Sequence, residues 1–311
     1  MELCIFIEPQ QGATYDDQLR LARRTEDAGF DGFFRSDHYL HMGRADGLPG
    51  PTDAWIVLAG LAVETSRVRL GTLVSPATFR HPGALAIAVA TVDAMSGGRV
   101  DLGLGTGWYE AEHAAYGLAF PDVTERFDIL EEQLAIITGM WGAPIEERFS
   151  FEGKHYRVVD SPARPKPVAK SGPTVIVGGH GKRRTPELAA RFAGEFNSFE
   201  SVDGAAAGFE RVREACERVD RAGSGREPIR FSATGTICCG RTEAEAAARA
   251  ERYGANVDRL RSDGFYGTPE QIAERVAAYQ EVGASRIYVQ LPRLHDLDHV
   301  DAIAEVLPLV R

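Results

Sequence analysis

Eight short apolar runs separated by helical segments are the feature that most constrains the fold of this chain. Each run is rich in residues typical of strands buried on both faces, which is the pattern of a parallel sheet. The runs cover residues 3–7, 32–35, 68–74, 100–104, 174–177, 195–199, 229–238 and 286–291. Strands that alternate with helices in this number predict a closed (β/α)8 barrel, the TIM-barrel fold. A doubly wound open sheet is the alternative, because closure cannot be read from a sequence.

Helix signals lie between the predicted strands. Thr14 is an N-cap residue at the start of the first helix, and Gly29 follows its end. Apolar residues recur every three or four positions over residues 124–141, which predicts an amphipathic helix. Thr242 and Thr268 are each followed three positions later by Glu or Gln, so both predict capping boxes at the starts of late helices.

Three segments are longer than the minimal barrel repeat requires. Residues 39–53 and 107–122 follow the second and fourth strands and are expected to be lids or binding loops. Residues 149–159 alternate around Glu152 and Gly153, which predicts a β-hairpin inserted before the fifth strand. A barrel takes about 250 residues plus insertions. The chain, with its 311 residues, is therefore expected to be one domain spanning 1–311.

Composition and charge exclude several classes of protein. The net charge of −10 and the lack of a basic run argue against nucleic-acid binding, which needs clustered cations. Apolar stretches stay well short of the ~18 residues of a membrane span, and the start of the chain lacks the basic region of a signal peptide. The four cysteines suit neither a disulfide framework nor a zinc motif. A cytoplasmic protein is expected.

The carboxyl ends of the barrel strands, which together form the barrel mouth, are where chemistry is expected. The second strand ends in Asp37 and His38. A histidine there can donate to or polarise a bound ring, and the adjacent carboxylate can fix its tautomer or bind a ligand. The alternative is a structural strand end, in which Asp37 caps backbone amides beside a surface histidine.

Glycines interrupt the third and fourth strands. Gly71 and Thr72 within an apolar run indicate a bulge or a close backbone approach, although a strand that tolerates one glycine is the simpler interpretation. Gly103, Gly105 and Gly107 lack the spacing of a dinucleotide-binding fingerprint. These glycines are expected instead to clear room in the barrel mouth for a flat ring.

A Glu-x-x-His spacing follows the fourth strand, from Glu110 to His113. Di-metal sites need two such pairs and further carboxylates, and the sequence holds no second copy. No His-x-His cluster follows a strand either, which argues against a metal-dependent hydrolase. No metal is expected.

The fifth strand ends in the strongest local signal of the chain, the segment VGGHG at residues 177–181. Lys182, Arg183 and Arg184 follow it and lead into a helix. Glycines let backbone N–H groups approach an anion, and a helix N-terminus adds the positive end of its dipole. The segment predicts a phosphate-binding turn. The alternative is an ordinary strand-to-helix turn with a basic helix start.

Taken in order and spacing, these strand ends resemble the bacterial-luciferase-like superfamily of flavin- and deazaflavin-dependent oxidoreductases. The motifs are SDHY, RLGTLVSPATFRHP, GRVDLGLGTGWYEAEHAAYG, ERFDILEEQL, FSFEGKHYRV with SPARPKPV, and VGGHGKRR, and they span nearly the whole chain. Within the superfamily the chain is most similar to the branch that depends on coenzyme F420. The resemblance implies a (β/α)8 barrel with the deazaflavin ring across its mouth, and a homodimer.

The resemblance also implies roles for individual residues. His38 would face the reactive centre of the ring as proton donor or acceptor, and Asp37 would contact the ring system. Leu73 and Val74 match the family's non-proline cis peptide, a bulge that supports the back of the ring. The other implied cofactor contacts are Thr106 and Gly107 at the ring or its side chain, and Val177, Gly178, Gly179, His180 and Gly181 around the phosphate.

These features favour an oxidoreductase that passes a hydride between coenzyme F420 and a small organic substrate. One alternative is a luciferase-like monooxygenase that uses reduced FMN and oxygen. Another is a non-enzymatic flavin-binding protein, against which the presence of Asp37 and His38 argues. Family members that act on sugar phosphates carry lysines for the substrate phosphate. No match is found among the lysines of this chain, which are Lys154, Lys166, Lys170 and Lys182.

Overall fold

The predicted barrel is closed. A computed structural model describes residues 1–43, 45–168 and 172–311. Its strands are β1 (Glu2–Ile7), β2 (Gly32–Arg35), β3 (Arg69–Pro76), β4 (Val100–Gly105), β5 (Phe149–Glu152), β6 (Arg157–Ser161), β7 (Thr174–Gly178), β8 (Glu195–Ser198), β9 (Arg230–Cys239), β10 (Phe265–Gly267) and β11 (Arg286–Gln290). Strand β1 pairs with β2 and with β11, and β8 pairs with β9, so eight parallel strands form a ring. The (β/α)8 prediction is confirmed, as is the hairpin, formed by β5 and β6.

Helices surround the barrel. They are α1 (Tyr15–Asp27), α2 (Ala54–Glu64), α3 (Pro82–Ser96), α4 (Glu110–Tyr116), α5 (Val123–Gly142), α6 (Arg184–Phe192), α7 (Val202–Arg218), α8 (Glu243–Tyr253), α9 (Val257–Asp263), α10 (Pro269–Glu281), α11 (Leu297–Ala304) and α12 (Leu307–Val310), with a 3-10 turn at Pro9–Gln11. Within the described ranges, no helix combines the length and apolar character that crossing a membrane requires.

The predicted helix starts are largely confirmed. Thr14 and Thr268 form complete capping boxes at the starts of α1 and α10. Thr242 accepts the Glu245 N–H at the start of α8, but the Glu245 carboxylate accepts the backbone N–H of Arg241 instead of closing the box. The predicted capping box at Thr242 is therefore only half formed.

Two short elements differ from the sequence prediction. Residues 107–122, expected to be a loop, contain α4. Strand β10 pairs with the C-terminal end of β9. It was not predicted, because a strand of three residues, FYG, is too short to show alternating hydrophobicity. Both elements are held in place by packing rather than by local sequence.

Alternation along β1 separates two apolar layers. Leu3, Ile5 and Ile7 pack in the main core between barrel and helices, whereas Cys4 and Phe6 lie in a second cluster inside the barrel. This follows because successive side chains of a strand point to opposite faces. The interior cluster also contains Phe34, Leu73, Ile176 and Tyr288, with Val74 packed against it.

Charged side chains fill the barrel interior at the end opposite the mouth. Arg286 lies 2.8 Å from Glu195 and 3.3 Å from Asp101, and it also reaches Glu2 at 2.6 Å. Tyr288 donates to Glu195 at 2.7 Å. Although burial alone would lower it, Tyr288 and Glu195 raise the pKa of Arg286 well above its usual value. These residues form the floor cluster, to which Arg69 and Arg230 add cations that pair with Asp101 and Glu2, because buried ions need partners.

Candidate active site

Asp37 and His38 follow β2 but face opposite sides of the barrel wall. Phe33 lies in the outer core and Phe34 lies inside the barrel. The alternation of side chains continues past the end of the strand. His38 therefore belongs to the inward series at the mouth, and Asp37 to the outward series.

Glu112 of α4 holds the imidazole of His38. One carboxylate oxygen lies 2.9 Å from His38 Nδ1, and the other accepts the backbone N–H of Tyr39 at 2.9 Å. The Glu112 side chain is buried. Because a carboxylate can only accept, Nδ1 carries the proton and Nε2 is left for acid–base chemistry. The tautomer-fixing role considered for Asp37 therefore belongs to Glu112, for which no role was predicted from the sequence.

Aromatic side chains border His38. Trp108 is 65% exposed, and its ring meets the imidazole edge-on with centroids 5.7 Å apart. Tyr109 stacks on Trp108 and donates its hydroxyl to the carbonyl of His41 at 2.9 Å. The two long connections predicted as binding loops therefore meet beside His38. Arg44, in the first of them, lies outside the described residues.

The carboxylate of Asp37 is bound within the protein. Ser75 donates to it at 2.6 Å, and Arg80 forms a two-pronged ion pair with it. Arg80 also contacts Asp53 and donates to the Tyr39 hydroxyl at 2.9 Å. Although burial alone would lower it, Asp37 and then Asp53 raise the pKa of Arg80 above its usual value. A contact between Asp37 and a cofactor ring stays a prediction.

The Leu73–Val74 peptide is cis, as the resemblance implies. Strands β3 and β4 change register between Thr72 and Ser75, which is the expected bulge. Leu73 is buried in the interior cluster, whereas Val74 is only partly buried at its edge. The bulge therefore places the apolar side chain of Val74 at the level of the mouth.

The glycines of β3 and β4 are close to protein atoms instead of open space. A Cβ at Gly103 would lie 2.2 Å from the Thr72 carbonyl oxygen and 2.7 Å from the Val74 side chain. A Cβ at Gly71 would lie 2.6 Å from the ring of Phe34. Gly103 therefore admits the bulge of β3, contrary to the expectation that it clears room for a flat ring, and Gly71 admits Phe34. Room for a ring beside Gly105 and Gly107 stays a prediction.

Thr106 and Gly107 follow β4 beside the bulge. Gly107 has a φ of +76°, and a Cβ there would lie 3.1 Å from the Thr78 hydroxyl. The Thr106 hydroxyl donates to the Gly107 carbonyl at 3.3 Å. Contact of either residue with a cofactor ring stays a prediction.

His113 serves the structure of α4. Its Nε2 lies 2.6 Å from the Thr78 hydroxyl, and its Nδ1 lies 2.8 Å from the Tyr109 carbonyl oxygen. Both ring nitrogens are therefore occupied, and Glu110 is not among their partners. In the part of the chain that the structure describes, no group of three or more His, Cys, Asp or Glu side chains could hold a metal.

Residues 177–181, the phosphate turn, lead from β7 towards α6. Gly179 has a φ of +133°, which glycine adopts readily and other residues rarely do. No side chain in the described ranges caps the start of α6. The first N–H groups of a helix have no partner within it, and together with the helix dipole they favour an anion. The turn therefore has the properties of an anion site.

The other residues of the phosphate turn are packed or paired. Val177 faces the outer core, so only its backbone is available to a ligand. A Cβ at Gly178 would lie 3.0 Å from the Asn197 carbonyl oxygen, and one at Gly181 would lie 2.3 Å from the Thr185 hydroxyl. The ring of His180 is exposed, with Nδ1 3.3 Å from Glu200.

The three cations after the turn have different positions. Arg184 pairs with Asp128 of α5 at 2.7 Å and therefore points away from the turn. Lys182 and Arg183 are exposed beside the turn, and the Arg183 guanidinium lies 3.5 Å from the Glu187 carboxylate. Lys182 is therefore the cation best placed to add attraction for an anion.

Comparison with known proteins shows the family. The model of the luciferase-like monooxygenase family matches residues 1–266, most of the chain. The chain belongs to this family. The strand-end motifs that suggested it all lie within the matched residues, so membership rests on the segments that build the barrel mouth.

Luciferase-like relatives of known activity include users of two cofactors. The F420-dependent glucose-6-phosphate dehydrogenase of Nakamurella multipartita is 41% identical over 162 residues, 49% of this chain and 46% of that protein. The FMNH2-dependent dimethylsulfone monooxygenase of Pseudomonas putida is 24% identical over 344 residues, 98% of this chain and 90% of that protein. The matched segment thus spans about half the length of the dehydrogenases.

Solved luciferase-like structures agree with the fold. An F420-dependent secondary alcohol dehydrogenase in complex with an F420–acetone adduct superposes with a TM-score of 0.83 at 17% identity, covering 100% of this chain and 99% of that one. The coenzyme F420 dependent tetrahydromethanopterin reductase of Methanopyrus kandleri gives 0.78 at 19% identity, with coverage of 100% and 99%. At these identities the likeness concerns the fold alone.

Proposed function

We propose that this luciferase-like protein is an oxidoreductase that uses coenzyme F420 and a small organic substrate at the barrel mouth. The observation that carries the proposal is the pair of His38 and Glu112. A buried carboxylate fixes an inward-facing imidazole at the end of a barrel strand, with its second nitrogen left without a partner among the described residues. This is how a general acid or base is positioned.

His38 would give or take one proton at Nε2 while the substrate is oxidised or reduced. Glu112 keeps the ring in one orientation through Nδ1, so that Nε2 stays directed to the mouth. Trp108 and Tyr109 flank the imidazole and limit the access of water to it. Such acid–base help contributes about 10²–10⁴-fold to a rate.

The residues present fit a deazaflavin cofactor. Val74 offers apolar surface at the mouth, and the phosphate turn offers a glycine at positive φ and an uncapped helix start for a phosphate. When bound, F420 supplies the hydride-transfer chemistry, which no side chain provides. The F420 dependence named for the N. multipartita relative supports this choice.

We propose that Asp37 contacts the cofactor ring while its carboxylate stays paired with Arg80. Its carboxylate already accepts from Ser75 and Arg80. Asp37→Asn separates two roles. A tenfold loss of F420 affinity (~1.4 kcal/mol) would support contact with the ring, whereas a loss of stability alone would assign Asp37 to the cluster.

A second candidate, a monooxygenase that uses reduced FMN, is favoured by the relative from P. putida, which matches 98% of the chain. Titration of the purified protein with F420 and with FMN, followed by oxygen uptake with each reduced cofactor, separates the candidates. We expect F420 to bind at least about tenfold more tightly, with no oxygen uptake. Tighter binding of FMN together with oxygen uptake would favour the monooxygenase.

We further propose that the substrate is not a sugar phosphate. Lys154 pairs with Asp128 at 3.5 Å, and Lys166 donates to the Met140 carbonyl at 2.7 Å. Both side chains are thus engaged on the outside of the barrel. Lys170 lies outside the described residues. Lys182 follows the phosphate turn, which is assigned to the cofactor.

The homodimer is proposed to form through α2 and α3. These neighbouring helices expose Ile56 and Val63, at 76% and 63%, together with Ile87 and Met95. The helices carry only two charged residues, Glu64 at the end of α2 and the buried Asp93. Two copies that each carry a net charge of −10 repel one another least when an uncharged face keeps their charges apart. A face of this kind suits a two-fold contact with a second copy.

A further inference from the structure

The inward side of β1 ends in a carboxylate. Cys4 and Phe6 lie in the interior cluster, and Glu2 belongs to the floor cluster below them. Glu8 continues the same alternation one step beyond the strand. Its side chain is therefore directed to the axis of the barrel at the level of the mouth, and it is half-buried.

Two uncharged side chains extend from Glu8 along the barrel wall. Gln290, at the end of β11, donates its amide to a Glu8 carboxylate oxygen at 2.7 Å. Thr236 of β9 donates its hydroxyl to the side-chain amide oxygen of Gln290, Oε1, at 3.1 Å. Glu8, Gln290 and Thr236, the polar arc, thus form one connected row on three adjoining strands.

The charge of Glu8 has no cationic partner among the described residues. Its remaining contact is the Gln10 amide at 3.5 Å, a weak hydrogen bond. A carboxylate can accept about four hydrogen bonds, so the Glu8 carboxylate keeps free acceptor sites. This contrasts with Asp37, whose carboxylate is bound by Arg80, and with the paired carboxylates of the floor cluster.

Glu8 lies next to the strand that carries His38. Strands β1 and β2 pair in register with Ile7 opposite Arg35, so Glu8 is level with Ser36. Ser36 and His38 are successive members of the inward series of β2, about 7 Å apart along the strand. The unpaired carboxylate and the acid–base imidazole therefore face the same space at the mouth.

We propose that Glu8, oriented by Gln290 and Thr236, binds a hydrogen-bond-donating group of the substrate, a hydroxyl or a protonated amine. The apolar part of such a substrate would lie against the exposed Trp108. An anionic substrate would be repelled by the same carboxylate. This inference rests on the proposed function and names the class of substrate for that site.

Binding of three small probes to the cofactor-free protein tests the inference. Cyclohexylamine carries a protonated amine, cyclohexanol a hydroxyl, and methoxycyclohexane the same ring without a donor. Calorimetric titration gives each affinity for the parent protein, for Glu8→Gln and for Glu152→Gln, an exposed glutamate of the hairpin that serves as control. The glutamine keeps the size of Glu8 and removes its charge.

The parent and the Glu152→Gln control should bind cyclohexylamine at least about tenfold more tightly than methoxycyclohexane, with cyclohexanol between them. Glu8→Gln should remove most of this preference and leave methoxycyclohexane unchanged. A parent that binds the three probes equally, or none of them, overturns the inference, as does an unchanged preference in Glu8→Gln. F420 titration of the same samples is read separately: a protein that prefers the amine but does not bind F420 refutes the proposed cofactor and leaves the role of Glu8 standing.

Discussion

Placing a carboxylate in the phosphate turn should weaken cofactor binding far more than altering its backbone does. Gly179→Asp and Gly179→Ala both put a Cβ on a residue with a φ of +133°, which costs about 1–3 kcal/mol in backbone strain. Space is not limiting, because the nearest heavy atom to that Cβ would be the Thr185 methyl carbon at 3.9 Å. The alanine variant therefore measures the backbone effect, and the aspartate variant adds to it a charged carboxylate.

The effect of the charge follows from Coulomb's law. An aspartate in the turn would lie about 5 Å from an anion at the start of α6, and at an effective dielectric constant of about 20 their repulsion is about 3 kcal/mol. This corresponds to a factor of roughly 150 in affinity. The new carboxylate would also accept the N–H groups that a phosphate needs, which acts in the same direction.

Fluorescence titration with F420 gives the dissociation constants of the parent and both variants. Gly225→Asp is the control, because Gly225 also has a positive φ, +73°, and an added Cβ there meets nothing within 4 Å. The control should leave the dissociation constant unchanged. We expect about a 100-fold difference between Gly179→Asp and Gly179→Ala. If the two variants bind F420 within threefold of each other, the turn does not hold an anion and its assignment is wrong.

Three further predictions concern the acid–base pair, the dimer and pH. His38→Ala should lower turnover about 100-fold and leave F420 affinity nearly unchanged. Glu112→Gln should lower turnover less, because the glutamine side chain still accepts from His38 Nδ1. Full turnover in His38→Ala would refute the acid–base role of His38. Ile56→Asp should give monomers in light scattering, whereas a monomeric parent would contradict the proposed interface. His299 of α11 is buried, and its Nε2 accepts the backbone N–H of Cys239 at 2.9 Å. Burial, and after it Arg249, lowers the pKa of His299 from 6.5 to about 3. Below about pH 6.5 the unfolded chain therefore binds a proton that the folded protein does not, and the free energy of unfolding should fall by up to about 1.4 kcal/mol per pH unit. Urea unfolding at about pH 7 and pH 5 should show a smaller fall in His299→Gln, and equal falls would contradict this reasoning.

The barrel could be predicted because its signals are local and repeated. Apolar runs and helix caps such as Thr14 depend on neighbouring residues only, so they are legible without a structure. Residues 177–181 could be singled out as a candidate phosphate turn for the same reason. Its glycines and its helix start are contiguous in sequence.

The partners of the site could not be predicted in the same way. Glu112 reaches His38 across 74 positions of sequence, and only the docking of α4 brings them together. Asp37 and His38 were interpreted together because they are adjacent, although strand alternation sends them to opposite sides. The role of Gly103 was wrongly predicted because the neighbours that it accommodates, Val74 and the β3 backbone, belong to another strand.

The floor cluster has a consequence for the order in which two molecules enter and leave the barrel mouth. Arg286 and its acidic partners close the end of the barrel opposite the mouth, and the apolar interior cluster fills the space above them. Two molecules bound at the mouth must therefore enter and leave through the same opening. The one that lies deeper has to enter first and leave last, since the other covers it. Residence of the upper molecule therefore sets how quickly the lower one can be exchanged.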